Sequence, residues 1–275
     1  MNDAFAGIRL KRLRAWDQIN SLKADIAFFL RNDLAPYVPS VNFDGKTQIL
    51  TVSVHINKVP DAMWSVRIGE IVHNLRSALD HVVWELFVKN NRQFPPSGSK
   101  SQFPIFITQA GFKTRGEALF LKGINDKAID LIRSEQPFPV SEGGTGEDIR
   151  SPLWHLKELS DCDKHRTIHL VGFLLEEYNF TFPPLIRDVT IHKEIVQNAG
   201  PIQQDTILAR ASFPGVSEWP FENRDVKGHL ITNIAFDQWT PSVGGWLVAE
   251  TLIESANRID RILHRIAEEI FGFEL

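Results

Sequence analysis

Apolar residues along the chain recur first at helical and then at strand spacing, and each change of period marks a new element. From Phe5 to Leu34, the residues Ile8, Leu10, Leu13, Ile19, Leu22, Ile26 and Phe29 repeat at about the pitch of a helix, with Arg9, Lys11, Arg12 and Arg14 among them. Pro36 and Pro39 end that run, since each proline lacks an N–H and restricts the residue before it. The stretch 41–57 alternates through Leu50, Val52, Val54 and Ile56 with Asp44-Gly45 between its halves, which predicts a hairpin. Helical spacing returns over about 65–90 and again over about 115–134. Residues 135–152, rich in Gly, Pro and acidic side chains, read as a loop that ends on Ser151-Pro152, an N-cap with proline at the first helical position. That opens a helix over about 151–175. Between 180 and 237 the period falls to two in DVTIHKEIV, DTILARASF and HLITNIAF, which predicts antiparallel strands. The last helix, about 245–271, carries Leu252, Ala256, Ile259, Leu263, Ile266 and Ile270 on one stripe.

These elements predict an α+β fold: a helical bundle of the first, central and last helices with an adjoining antiparallel β-sheet. No linker composition interrupts the chain, so residues 1–275 are expected to form a single composite domain. Composition narrows the class without naming a function. The chain is 43% hydrophobic and 23% charged, ordinary for a globular protein. A formal charge of -4 gives no global attraction for nucleic acid, so an anion site must be a local patch. The lone Cys162 forms no intrachain disulfide and suits a reducing compartment. The first twenty residues lack the apolar run of a secretory signal, and no segment has the unbroken apolar length of a membrane span. A cytoplasmic protein without membrane attachment is the expectation.

Candidate chemistry concentrates in the central helix, IGEIVHNLRSALDHVVWELF. At about 100° per residue, Ile71, Leu75, Ala78, Leu79, Val82 and Leu86 form a core stripe. His73, Ser77, Asp80 and Trp84 line one edge of the polar side, with Arg76 next to Asp80. His81 lies roughly 140° round from Arg76 by the same spacing, so one helix does not aim both at a single atom. On residue types alone, Arg76 and Asp80 also suit an ordinary i,i+4 surface pair.

Arg76-Ser77-Ala78-Leu79-Asp80-His81 resembles the R-x4-H motif of HEPN domains, helical bundles often found as RNases in toxin and antiviral systems. Ser77 stands where that family usually carries Asn, Asp or His. The resemblance implies a homodimer in which Arg and His from facing copies cut RNA as a metal-independent endoribonuclease, with no cofactor. Arg76 would stabilise the charge on the phosphorane, His81 would act as general acid or base, and Asp80 or His73 would orient them. The wider pattern, GEIVHNLRSALDH followed by LWHLKELSDCDKHR, is similar to a group of bacterial proteins and brings no activity with it.

A second polar cluster, DCDKHRTIH, gathers Asp161, Asp163, Lys164, His165, Arg166 and His169. Lys164, His165 and Arg166 are candidates for holding an RNA backbone, and equally suit the end of a helix, where cations meet exposed carbonyls. His165 and His169 share a helix face, but the glutamate of an H-E-x-x-H motif is missing and no metal is expected. Trp64, Trp84, Trp154, Trp219, Trp239 and Trp246 supply surfaces for core or for base stacking. The alternative to an RNase is a non-enzymatic bundle whose polar helix face is a structural network or binds a partner.

Overall fold

The fold is described from a computed structural model that covers residues 5–31, 35–97, 100–139, 151–175, 180–181, 192–195, 199–218, 227–228 and 230–275. It is α+β. The chain divides into two compact units, one of residues 1–23, 63–168 and 238–275, the other of 24–62 and 169–237. The backbone passes from one unit to the other at 23/24, 62/63, 168/169 and 237/238, which is why no linker is legible in the sequence.

The helical unit is built on α2 (Met63–Asn91), which packs against α5 (Pro152–His165) and α6 (Val248–Ile266). The core stripe read from the sequence is the one that is buried: Ile71, Leu75, Ala78, Leu79, Val82 and Leu86 all lie inside. Leu156 and Leu159 of α5 and Leu252, Ala256, Ile259 and Leu263 of α6 are buried as well. Within this unit the part of α1 (Ala6–Arg31) up to residue 23 is tied to α6 through Asp260, which accepts from Arg12 Nε at 2.6 Å and Trp16 Nε1 at 3.0 Å. Glu135, almost wholly buried, is held by Arg258 at 2.8 Å and by Arg265. Among the described residues no helix is long and apolar enough to cross a membrane.

Two helix boundaries differ from the sequence reading. The stretch 115–134 is not one helix. Thr108 caps a short α3 (Gln109–Gly111), which widens into a π-helical stretch (Phe112–Phe120); a separate α4 (Asp126–Ser134) then starts with Asn125 accepting from Ala128 N at 2.9 Å. The break falls at Gly123, whose φ of +87° suits glycine and whose missing Cβ leaves room for the Phe87 ring, 2.6 Å from where that atom would be. The second difference is that α5 stops at His165, because Arg166 is already extended, and 170–174 is a strand instead of more helix.

The other unit is antiparallel sheet. Strands β1 (Tyr37–Asp44) and β2 (Ile49–Ile56) form the expected hairpin, and β2 then pairs with β7 (Ile207–Ser212), which pairs with β5 (His192–Ile195). Asp44 shapes the turn by accepting from Lys46 N and Thr47 Oγ1, both at 2.9 Å. Leu50, Val52 and Val54 alternate onto the buried face. A second sheet orders β6 (Gly200–Pro201), β3 (Leu170–Leu174) and β9 (Thr232–Phe236), and β4 (Phe180–Thr181) pairs with β8 (Lys227–Gly228). Gly172 of β3 accepts the Tyr37 ring of β1 in the space a side chain would need. Residues 140–150, most of the Gly-rich loop, and Trp219 lie outside the described residues, as does much of DVTIHKEIV.

Candidate functional site

One face of α2 opens onto a cavity of about 690 Å³. His73, Arg76, Ser77 and Asp80 form its α2 wall, and Trp154, Lys157, Ser160, Asp161 and Lys164 its α5 wall. The segment 102–108, with Arg115 and Phe120 of the π-helical stretch, closes a third side. All of these residues belong to the helical unit.

The third wall is held by its backbone. Arg76 Nη2 donates to the Phe103 carbonyl at 2.5 Å, while Asp80 Oδ1 accepts from the Phe103 N–H at 2.8 Å. Arg76 and Asp80 are themselves 3.3 Å apart, so the pair holds both backbone polar groups of one residue. From another side chain, Gln136 donates to the Pro104 carbonyl at 2.9 Å and accepts from Phe106 N at 2.9 Å. An extended segment that would otherwise bury unpaired backbone groups is therefore satisfied by side chains.

The electrostatics are those of a partly desolvated cationic site. Arg76, Arg115, Lys157 and Lys164 line the cavity with Asp80 and Asp161, and Glu158 pairs with Lys157 at 3.2 Å beside it, four cations to three carboxylates. Burial holds the Arg76 guanidinium below its ordinary value, against the pull of Asp80 and then Asp161. Burial also raises the Asp80 carboxyl, more than Arg76, the Phe103 N–H, Lys164 and His81 lower it. Asp161 is lowered despite its burial, because Lys157 at 2.8 Å and Lys164 at 3.6 Å favour its charge. Arg76 Nη1 is buried with no hydrogen-bond partner among the described residues. Its guanidinium thus keeps one unmet donor, closed off from solvent. Aromatic faces complete the walls: Lys157 Nζ lies 4.6 Å over the Trp154 ring and the Arg115 guanidinium 5.2 Å over Phe106.

The structure brings together Arg76, Asp80, His73 and Lys164 from the sequence candidates. It does not bring His81 with them. His81 is exposed and lies beside Gly7 of α1, outside the cavity wall, as the angular offset from Arg76 requires. His165 and Arg166 are also exposed and off the cavity; Arg166 Nε instead donates to Cys162 Sγ at 3.2 Å. Asp163 turns away toward Gly69. Sequence reasoning missed Trp154 and Lys157 as partners of Lys164, although 154, 157, 161 and 164 trace a helical stripe on α5. Arg115 and Phe103 carried no such signal, since they reach the site from a loop and an irregular helix. Among the described residues no group of three or more His, Cys, Asp or Glu is placed to hold a metal ion. No family model, curated protein or solved structure matches this chain.

Proposed function

We propose that the helical unit is an RNA-binding module whose cavity takes a backbone phosphate. The observation that carries this reading is the cation-rich lining: a desolvated Arg76 guanidinium with Arg115, Lys157 and Lys164, against Asp80 and Asp161 on the wall and Glu158 beside Lys157. A dianionic or diester phosphate answers that imbalance, because charge-assisted bonds to guanidinium and ammonium groups strengthen where water is scarce. The concentration of cations is local, on a chain whose formal charge is -4. Trp154, Phe106 and Phe120 offer apolar faces of the kind on which unpaired bases stack.

Cleavage by an Arg76–His81 pair is the enzymatic form of the same reading, and it requires a second copy of the chain to bring His81 to the phosphate. Within one protomer, His73 is the imidazole that lines the cavity. The experiment is binding and cleavage of total RNA by the wild-type protein, with chelator present, beside Lys164→Ala and Arg115→Ala. These two cations border the cavity without bonding to the Phe103 peptide, so their loss should weaken RNA binding several-fold with the melting temperature kept. Absence of RNA binding by the wild type at low salt would remove the proposal.

A further inference from the structure

We propose that Trp84 and Phe94 form a platform on which an unpaired base stacks, so that the ligand is a single strand running from the cavity along α2, neither a lone nucleotide nor a duplex. This rests on the phosphate-site reading and adds a second subsite to it. Trp84 follows Asp80 by one helical turn, about 6 Å further along the axis and some 40° round, so it continues the face that carries His73, Ser77 and Asp80 into the cavity. That step is comparable to the reach of one nucleotide of an extended strand.

Phe94 comes from the chain just after α2 and lies on the Trp84 ring, centroids 6.0 Å apart and planes at 29°. The pair is not core. Phe94 is 74% exposed and Trp84 39%. Its position is nonetheless fixed from both sides. Arg92, with φ of +55°, takes a left-handed bend directly past the helix end, and Pro95 is buried directly after Phe94. The side-chain amide of Asn91 anchors that end to the Phe87 and Gly123 carbonyls at 2.8 and 2.7 Å. A fixed, wet aromatic stack one turn from a cationic cavity fits a base whose own phosphate is held next door. Stacking on aromatic rings and a basic groove are the two parts of single-strand recognition. Bases within a duplex are already stacked and paired and do not reach such a surface.

The test measures, by fluorescence anisotropy on the full chain, the affinities of a short labelled oligouridylate, the same sequence in duplex, and a labelled uridine monophosphate. The oligouridylate is expected to bind well ahead of the other two. Phe94→Ser and Trp84→Ala should each reduce that advantage about tenfold, with Phe94→Ser as the variant least able to disturb the fold. Equal binding of the duplex, or an advantage that both variants leave intact, overturns the platform while the phosphate site stands. If neither the oligouridylate nor the monophosphate binds, the phosphate site itself fails and the platform falls with it.

Discussion

The carboxylate of Asp163 on α5 occupies the space a side chain at Gly69 on α2 would need: a Cβ there would stand 2.3 Å from Oδ1. This contact lets the C-terminal turn of α5, which carries Asp161 and Lys164, lie close on α2. Two opposing effects meet at Gly69→Ala. Alanine in a helix interior gains roughly 1 kcal/mol over glycine, whereas the exposed Asp163 carboxylate must swing aside to admit the new atom. In the wild-type background the gain should therefore be smaller than that. In an Asp163→Ala background it should stabilise by about 1 kcal/mol. A double-mutant cycle in urea measures the coupling, and additive effects would show that the carboxylate does not fill that space.

How much of this was legible beforehand depended on whether a residue's partner was near in sequence. The α2 stripe of Leu75, Leu79, Val82 and Leu86 was readable because helical periodicity is local, and so was the Asp44 turn. The divergence of Arg76 and His81 was readable for the same reason. The Phe103 peptide between Arg76 and Asp80 was not, because its recognition uses backbone groups and leaves no side-chain signature. The DKHR cluster split, with Lys164 at the cavity and His165 and Arg166 away from it, because successive residues of a helix point about 100° apart and α5 ends before Arg166. The two-unit organisation was hidden by the same kind of non-locality, each unit being assembled from separated stretches.

His155 should make the protein acid-sensitive. It is fully buried, edge-on to Trp246 at 4.8 Å, with neither ring nitrogen bonded among the described residues. Burial lowers its pKa below the ordinary 6.5, so the folded state holds it neutral where the unfolded state takes a proton. The sign follows from linkage. The stability this group contributes is complete above the unfolded value and is lost as pH falls from there toward the lower folded value. Chemical denaturation at a series of pH values should show a decline approaching about 1.4 kcal/mol per pH unit below pH 6.5. His155→Leu should flatten that part of the profile, and an unchanged slope would assign the acid sensitivity elsewhere.

The Arg76–Asp80 clamp should matter to stability before it matters to function. Asp80→Ala removes the acceptor for Phe103 N–H and leaves Arg76 without its nearest counter-charge. Removing one partner of a fully buried pair costs about 3–5 kcal/mol, and Asp80 keeps 26% of its side chain exposed, so the loss should lie near the low end, about 3 kcal/mol. Asp80→Asn retains an acceptor for the peptide and should cost about half as much, roughly 1–2 kcal/mol. Equal losses in the two variants would mean that charge, and not the hydrogen bond from Phe103 N–H, is what holds the wall.

His73 and His81 should separate binding from cleavage. His73 lines the cavity and His81 does not, so His73→Ala should weaken RNA binding a few-fold while His81→Ala leaves it unchanged. Cleavage obeys a different logic. If an Arg76–His81 pair from two copies cuts RNA, His81→Ala should abolish cleavage by about 10²–10⁴-fold without loss of affinity, and activity should fall on dilution below the dimer's dissociation constant. Arg76→Lys keeps the charge but loses the planar fork whose Nη2 holds Phe103 O on the cavity wall, so it should reduce both binding and any cleavage. The wild type and these three variants, compared by binding curves and one RNA gel with chelator, therefore distinguish the cases. Binding that ignores His81, with no cleavage at any concentration, identifies a binding module; cleavage that vanishes with His81 and with dilution identifies a dimeric nuclease.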